Sequence, residues 1–407
     1  MIHVCYTIFD RDGHYSKFIG TSILSMFENT REKIMVHLIH DSTLTRDNRN
    51  KFAEIISRYD QQIKFYNVDE LVPNRLDEIR NRISADKFFR WSIAMFYRFF
   101  APNLIDAKKI IYLDADTIVN LDMVILWQLD LENRPIAGMP ESLMFPIESV
   151  KKSTIPLCRE NIIDWREYFN SGVLIMDLDA IRKFGDLLEN SLNVLEKFSD
   201  VFSLPDQDAL NLLFKDNYLP LPAIFNVFVR ELRLLNQPQI IDSVIYHYTD
   251  LAIEMNTSDV FNRLWFEYFI KTPFFSIETF ENLQQGAEKR CLQENFLWHK
   301  LMISTATKHR VFLNYSRDTK STIEYFGTNA RDEIFEINGT DFEDDIVELV
   351  KNSSPEKFFI ICVEDEIYDR IRKKLVELNF VEYENFCCPN FCFKNPLVDG
   401  FELVQSM

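Results

Sequence analysis

Aspartates separated by one residue occur as four pairs in this sequence, and one pair has the setting of a metal site. Asp114 and Asp116 follow the apolar run Ile-Ile-Tyr-Leu, which we interpret as a buried strand. Side chains two residues apart on extended backbone point to the same side, and two carboxylates placed this way suit Mg²⁺ or Mn²⁺. The other pairs are Asp10/Asp12, Asp177/Asp179 and Asp206/Asp208. Because such pairs also arise by chance, two solvated acids are the alternative.

His247 is the natural third ligand for a cation held by these carboxylates. It follows Ser-Val-Ile-Tyr, a run typical of a strand, so it stands at a predicted strand end, as Asp114 does. Two carboxylates with one imidazole favour Mn²⁺ over Mg²⁺, because imidazole is the softer ligand. A single histidine in such a run is more often a packed or surface residue, and the residues alone leave both interpretations open.

The order of the apolar segments indicates how these residues are positioned. Strands are predicted over 2–9, 34–41 and 62–69, with helices over 16–29 and 45–60 between them. This alternation predicts a mostly parallel sheet with helices on its faces, and ligands bind beyond the carboxyl ends of such strands. The later predicted segments are a helix over 88–104 that Pro102 ends, a strand over 108–122 that breaks at Asp114, a strand and helix over 167–184, a helix over 204–214 and a strand over 243–250.

The pattern changes after residue 275, which indicates a second domain. Residues 277–305 are predicted to be helical, and a shorter α/β series follows, ending in a strand over 381–388. We place the boundary near residue 280. The prediction is a first α/β domain over 1–280 and a second, smaller α/β domain over 281–407.

Glycine is scarce, with nine residues in a chain of 407. Their positions allow no G-x-G-x-x-G fingerprint, no phosphate-binding G-x-x-x-x-G-K-[ST] loop and no G-x-S-x-G elbow. A bound nucleotide would therefore need another means of holding its phosphates, and a cation at Asp114 and Asp116 would supply one.

Charge and cysteine content narrow the class of protein further. The net charge of −18 disfavours nucleic acid and anionic membranes as partners. The seven cysteines form no C-x-x-C pair, and we interpret the cluster Cys387, Cys388 and Cys392 as buried thiols in a reduced compartment. The first residues lack the pattern of a signal peptide, and no apolar stretch approaches about 18 residues. We therefore expect a cytoplasmic protein without a transmembrane segment.

Several segments, taken in order, resemble the retaining glycosyltransferases of family 8, which use UDP-sugars and Mn²⁺. The matching segments are VCYTIFDRDGHYSKFIGTSILS, MFYRF, IIYLDADTIVNLDMVILWQLDL, YFNSGVLIMDLDAIR, LPDQDALN and IYHYTD, within residues 4–250. The resemblance implies a GT-A-type fold, a mostly parallel sheet flanked by helices that binds a nucleotide.

The resemblance also assigns roles to residues in the metal and nucleotide site. The implied metal ligands are Asp114, Asp116 and His247, with Ala115 against the nucleotide. Thr7 and Ile8 match backbone positions that line uracil, and Tyr15 matches an aromatic side chain on the nucleoside. Asp10 or Asp12 matches an acidic contact to uracil, and the two extra residues in this segment leave the choice open.

The donor sugar is assigned in the same way. The implied contacts are Arg98, Asn170, Ser171, Asp206 and Gln207, with Gln207 beneath the anomeric carbon. Gly172 is expected to let backbone approach closely, Asp208 is expected to be structural, and an exposed helix cation is the alternative for Arg98. Because an amide oxygen is a weak nucleophile, we expect a same-face mechanism in which Gln207 and Asp206 stabilise oxocarbenium-like charge.

The chain departs from the family pattern after the histidine. Asp250 stands where the family has glycine, and Ile253 stands where it has a lysine that contacts a donor phosphate. Candidate replacement cations are Arg230, Arg263 and Lys271.

The expected reaction is transfer of galactose or glucose from UDP-galactose or UDP-glucose to a glycan. The acceptor is expected to be linked to protein, as on serine-rich adhesins, or to be a lipid-linked oligosaccharide, and the second domain to bind the acceptor or a partner. Because the lysine is missing, a weakly active sugar-nucleotide-binding subunit that scaffolds a partner transferase is the main alternative. A nucleotidyltransferase and a metal-dependent phosphohydrolase are disfavoured, the first for want of a glycine-rich basic loop and the second for want of a second His/Asp cluster.

Overall fold

The structure is a computed structural model of the chain. It describes residues 1–13, 15–83, 92–144, 155–199, 201–234, 239–249, 259–279, 305, 308–313, 331–335, 342–354, 356–363, 365–382 and 384–387. The chain divides into two compact units, Met1–Leu283 and Gln284–Met407.

The strands of the first unit form two sheets. In chain order they are β1 (Ile2–Ile8), β2 (Ile34–His40), β3 (Gln62–Asn67), β4 (Lys109–Leu113), β5 (Thr117–Asn120), β6 (Ile136–Pro140), β7 (Phe169–Asp177), β8 (Tyr218–Pro220), β9 (Val227–Phe228) and β10 (Val244–His247). The central sheet has the order β3-β2-β1-β4-β7-β6-β8, and a smaller sheet has the order β5-β10-β9. The predicted α/β class is confirmed, and the central sheet is mostly parallel.

Helices cover both faces of the central sheet. They are α1 (Ser16–Asn29), α2 (Arg46–Arg58), α3 (Val68–Leu71), α4 (Pro73–Arg82), α5 (Ala101–Leu104), α6 (Met123–Trp127), α7 (Pro156–Arg159), α8 (Leu178–Phe184), α9 (Leu187–Lys197), α10 (Pro205–Phe214), α11 (Val229–Leu234) and α12 (Val260–Phe269), with 3₁₀ turns at Ile93–Phe100, Glu141–Leu143 and Ala223–Phe225. Alternate residues of β1 enter two hydrophobic cores, Val4 and Tyr6 the one and Cys5 the other.

Strand β7 runs antiparallel to both of its neighbours, β4 and β6. The first residues of β7 therefore lie beside the carboxyl end of β4, where Leu113 pairs with Val173. Asp177 is the last residue of β7, so it too stands at the end of an apolar strand. It lies at the opposite edge of the sheet, however, because it pairs with Lys109 at the start of β4.

Two predicted elements are wrong in detail. The predicted strand over 108–122 is two strands, because the chain leaves the central sheet at Asp114 and β5 joins the smaller sheet. The predicted helix over 88–104 is a 3₁₀ helix followed by α5, and its first residues lie outside the described part of the chain. Pro102 lies in the first turn of α5 rather than ending a helix, which suits a residue without an N–H.

The second unit contains a four-stranded parallel sheet. Its strands are β11 (His309–Leu313), β12 (Glu333–Phe335), β13 (Lys357–Ile361) and β14 (Phe386–Cys387), in the order β12-β11-β13-β14, and its helices are α13 (Phe342–Lys351) and α14 (Asp365–Glu377). Buried Arg310 forms an ion pair with Asp332 at 2.6 Å. Among the described residues of the predicted strand over 381–388, the strand formed is the short β14, in which Cys387 is buried.

Several sequence predictions fall outside the described residues. They include nearly all of the helix over 277–305, Cys388 and Cys392, and the positions of Asp250 and Ile253. Within the described residues, no helix combines the length and apolar character needed to cross a membrane.

Candidate active site

Asp114, Asp116 and His247 come together although they lie on two sheets. Asp114 directly follows β4, Asp116 directly precedes β5, and His247 ends β10 in register with Thr117. His247 Nε2 is 3.3 Å from Asp116 Oδ1 and 3.9 Å from Asp114 Oδ2. Each residue offers a ligand atom, and these atoms lie within 4.8 Å of one another. This convergence of two carboxylates and one imidazole is a donor set for a divalent cation.

The electrostatics of this cluster favour positive charge. His247 is buried, which lowers its pKa, but the carboxylates of Asp116 and Asp114 outweigh burial and raise the pKa of His247 above its ordinary value. The Asp114 Oδ1 atom already accepts hydrogen bonds from Arg98 and from the Tyr112 hydroxyl, each at 2.9 Å. Oδ2 is therefore the oxygen of Asp114 that faces the histidine and suits a cation.

The His247 ring is held from several sides. Its Nδ1 lies 2.9 Å from Asn226 Oδ1, and Phe228 meets the ring edge-on at 5.8 Å. A Cβ atom on Gly172 would lie 2.2 Å from His247 Cε1, closer than any side chain allows. The space that glycine leaves at position 172 is therefore occupied by the histidine ring.

Gly172→Ala is expected to displace His247 and to weaken Mn²⁺ binding at least about tenfold, with a stability loss of about 1–3 kcal/mol from overpacking. Calorimetry with Mn²⁺ and thermal unfolding measure the two effects. Gly20→Ala in α1 is the matched control, because its Cβ would lie 2.4 Å from Phe274 Cε2. This control should lose stability and keep Mn²⁺ affinity. Wild-type Mn²⁺ affinity in Gly172→Ala would contradict the assignment of His247.

Arg98 lies buried at the centre of the site, not on a helix surface. One of its nitrogens, Nη2, contacts both Asp114 Oδ1 at 2.9 Å and Asp206 Oδ2 at 3.0 Å. Its Nη1 donates to the carbonyl and hydroxyl oxygens of Ser171, each at 2.9 Å. The guanidinium also stacks 4.3 Å from the Tyr112 ring centroid. Burial lowers the pKa of Arg98, but Asp206, Tyr112 and Asp114 together raise it, so the guanidinium stays charged.

The first turn of α10 contributes Asp206 and Gln207. Burial raises the pKa of Asp206, and the charge of Arg98 opposes that rise. Gln207 Oε1 accepts from Ser171 N at 2.9 Å, while its Nε2 donates to Glu141 Oε1 and to the Tyr168 hydroxyl at 3.1 Å each. The amide of Gln207 is thus fixed in orientation by three hydrogen-bond partners.

Asp208 fits the structural role expected from the sequence. Its carboxylate accepts from the Tyr168 hydroxyl at 2.6 Å and from the backbone N–H groups of Ser203 and Leu204. Burial raises its pKa to about 6, against the effect of these hydrogen bonds. These contacts tie the start of α10 to the preceding loop.

The end of β1 lies beside the metal cluster. Thr7 Oγ1 is 3.0 Å from the Tyr112 hydroxyl, which donates to Asp114. Ile8 and Ala115 are buried. Burial, and next the charges of Asp116 and Asp114, raise the pKa of Tyr15.

Asp10 and Asp12 differ sharply in their surroundings. Asp10 is fully buried, and its carboxylate accepts from Tyr15 N, Ser16 N, the Ser16 hydroxyl and Asn48 Nδ2. Four donors use all the lone-pair sites of a carboxylate, so Asp10 fixes the start of α1. Asp12 is exposed.

The three candidate replacement cations are placed differently. Lys271 forms an ion pair with Glu28 at 2.7 Å near the end of α1, and the 14 residues of that helix span about 21 Å. Lys271 is therefore far from the start of α1, and its charge is already paired with a carboxylate. Arg263 is exposed on α12. Arg230 is exposed on α11, two residues after Phe228, which pairs with His247.

Sequence reasoning missed three buried residues of this site: Glu141, Tyr168 and Asn226. Glu141 follows β6 and reaches the site because β6 pairs with β7, with Met139 opposite Asn170. No motif marks these residues. The signal available was position alone, since Glu141 follows a strand and Tyr168 directly precedes the Phe-Asn-Ser-Gly segment.

The known proteins to which this chain is similar in sequence include glycosyltransferases. Residues 6–251 match the family described as Glycosyl transferase family 8. A putative glycosyltransferase of Haemophilus influenzae is 23% identical over 290 residues, covering 66% of this chain and 83% of that protein. A lipopolysaccharide 1,2-glucosyltransferase of Escherichia coli is 29% identical over 236 residues, covering 55% of this chain and 62% of that protein.

A solved structure shows the same fold. The galactosyltransferase LgtC, in complex with donor and acceptor sugar analogues, superimposes with a TM-score of 0.56 at 20% identity, covering 68% of this chain and 98% of that one. At this identity the likeness concerns the fold, and it confirms the GT-A-type architecture predicted from the sequence.

Proposed function

Because the chain belongs to glycosyl transferase family 8, we propose that it is a retaining transferase that moves galactose or glucose from UDP-galactose or UDP-glucose to a glycan hydroxyl. One observation carries the proposal: Arg98 joins the possible metal-ligand set of Asp114, Asp116 and His247 to a group of buried polar residues that includes Asp206 and Ser171. A cation and a sugar pocket that share one buried arginine suit a sugar joined to a diphosphate.

We infer that the cation is Mn²⁺, held by Asp114, Asp116 and His247. The fit rests on their convergent ligand atoms and on the imidazole, which favours Mn²⁺ over Mg²⁺. When bound, the cation neutralises the negative charge that develops on the diphosphate as it leaves.

The nucleoside is assigned to the end of β1. Thr7 and Ile8 line uracil, Ala115 lies against the nucleotide, and Tyr15 packs on the nucleoside. Between the two acids, we assign the contact with uracil to Asp12, because the carboxylate of Asp10 is already used by four donors.

The donor sugar is assigned to Arg98, Asn170, Ser171, Asp206 and Gln207. Arg98 Nε is buried and has no hydrogen-bond partner among the described residues, which leaves one donor for a ligand oxygen. The carboxylate of Asp206 offers acceptors for sugar hydroxyls.

The chemistry proposed is a same-face displacement. The amide oxygen of Gln207 is a weak nucleophile and already accepts a hydrogen bond from Ser171 N. The bond from the anomeric carbon to the diphosphate breaks, the acceptor oxygen bonds to that carbon from the same face, and the departing diphosphate oxygen takes the acceptor's proton. Gln207 and Asp206 stabilise the positive charge that develops on the sugar.

A panel of UDP-sugars incubated with the full chain and Mn²⁺ tests the function without knowledge of the acceptor. We expect slow release of UDP from UDP-galactose or UDP-glucose, little release from UDP-N-acetylglucosamine, and none once a chelator removes the metal. Intact-mass measurement during turnover should find no sugar bound to residue 207. A trapped sugar there would replace the same-face mechanism with a covalent one.

The departure at Ile253 supports a second candidate, a weakly active sugar-nucleotide-binding subunit that scaffolds a partner transferase. In that case UDP-sugars would bind with Mn²⁺ but would not be hydrolysed or transferred. For the second unit we propose a role in binding the acceptor, on protein or on a lipid-linked oligosaccharide, or in binding a partner protein.

A further inference from the structure

Asn226 joins the metal-ligand histidine to the sugar pocket. It is fully buried, directly after the 3₁₀ turn Ala223–Phe225 and directly before β9. Its Oδ1 lies 2.9 Å from His247 Nδ1, and its Nδ2 lies 2.9 Å from Asn170 Oδ1. One amide side chain therefore contacts both a residue assigned to the metal and a residue assigned to the sugar.

The direction of these hydrogen bonds follows from a fixed backbone donor. Gly172 N donates to the Asn170 side chain at 2.9 Å, so the Asn170 atom at that position must be the oxygen. The Asn226 atom that contacts the same oxygen must then be its NH₂ group. The remaining Asn226 atom is an oxygen, which only accepts, so His247 Nδ1 must carry a hydrogen. The lone pair of a neutral ring is thereby placed on Nε2, which faces Asp116.

We propose, on the basis of the proposed function, that Asn226 is a positioning residue that fixes the His247 tautomer for metal binding and holds Asn170 for the donor sugar. Groups that hydrogen-bond to a ligating histidine orient its ring and set which nitrogen is available to the metal. Asn170 Nδ2 in turn lies 3.5 Å from Glu141 Oε1, and the same oxygen accepts a hydrogen bond from Gln207. The orientation of Asn170 is therefore linked to that of Gln207. A single buried amide thus sets the metal ligand and the sugar contact together.

Two variants separate the two halves of this role. Asn226→Leu keeps a similar volume and removes both hydrogen bonds, so Mn²⁺ affinity is expected to fall about 10–100-fold. Asn226→Asp keeps an acceptor for His247 Nδ1 but places an oxygen against Asn170 Oδ1. The Asp variant should bind Mn²⁺ no more weakly than wild type, while its KM for the UDP-sugar rises at least about tenfold.

Mn²⁺ binding is measured by electron paramagnetic resonance without donor, so this readout does not depend on turnover. Asn262→Leu is the matched control: Asn262 is a buried asparagine of α12 that accepts from Arg233, and its loss should lower the melting temperature without changing Mn²⁺ affinity. Equal Mn²⁺ affinity in wild type and Asn226→Leu would overturn the role of Asn226 while leaving the proposed function intact. Equal weakening of Mn²⁺ binding in the Leu and Asp variants would also overturn it. A wild-type protein that binds no Mn²⁺ would overturn both proposals.

Discussion

Arg98→Met is expected to abolish donor hydrolysis and to destabilise the protein by about 3–5 kcal/mol, because it leaves the buried carboxylate of Asp206 and the half-buried carboxylate of Asp114 without their shared cation. Arg98 contacts Asp114 and Asp206 through the same nitrogen and holds Ser171 through the other. Its removal therefore disturbs a residue assigned to the metal and residues assigned to the sugar at once. Urea unfolding and release of UDP from the preferred donor measure the two losses.

Two further variants test whether the loss of hydrolysis in Arg98→Met is specific to the donor site. Arg98→Lys keeps the charge but cannot reproduce the planar fork of donors, so stability should recover in part while hydrolysis stays at least about 100-fold below wild type. Arg182→Met removes an arginine that donates to Pro102, Ile105 and Ala107 carbonyls from α8, at the opposite edge of the sheet. Hydrolysis should survive that change. Wild-type hydrolysis in Arg98→Met would exclude Arg98 from the donor site.

The strands and helices in the N-terminal part of the chain could be predicted, because apolar residues there recur at the spacings typical of strands and of helices. The direction of β7 could not. Seven of its nine residues are buried, on both faces of the strand, and such a run does not indicate whether the strand pairs parallel or antiparallel. Direction decides function here, since the antiparallel pairing is what brings Asn170 and Ser171, at the start of β7, to the end of β4.

Long-range contacts explain the other gaps between sequence and structure. The sequence could indicate that Gly172 permits a close approach, but not that the approaching group is the His247 ring from another sheet. The sequence also could not show that Arg98 is buried against Asp206, because this contact exists only once the site is folded. The sequence pattern left the choice between Asp10 and Asp12 open, and only the donors around Asp10 show its structural role.

Asp116→Asn is expected to lower Mn²⁺-dependent hydrolysis about 100- to 1000-fold, with little change in the melting temperature of the metal-free protein. A bound cation contributes several kcal/mol to stabilising a leaving group, and each 1.36 kcal/mol corresponds to about tenfold in rate. The substitution keeps the shape of the side chain but replaces a carboxylate oxygen 3.3 Å from His247 Nε2 with a neutral amide. Mn²⁺ titration by electron paramagnetic resonance should show a parallel loss of affinity.

The sequence itself offers the control for this experiment. Asp177 and Asp179 form another aspartate pair of the same spacing, but Asp177 accepts from Ala180 N at the start of α8, on the edge of the sheet opposite the site. Asp179→Asn should therefore leave hydrolysis and Mn²⁺ affinity unchanged, although it repeats the change in charge. If Asp116→Asn behaved like Asp179→Asn, or if hydrolysis persisted in a chelator, the phosphates would be held without a metal. In that case Arg230, the exposed arginine of α11, would be the next cation to test for phosphate binding. The lysine expected from the family pattern is replaced here by Ile253.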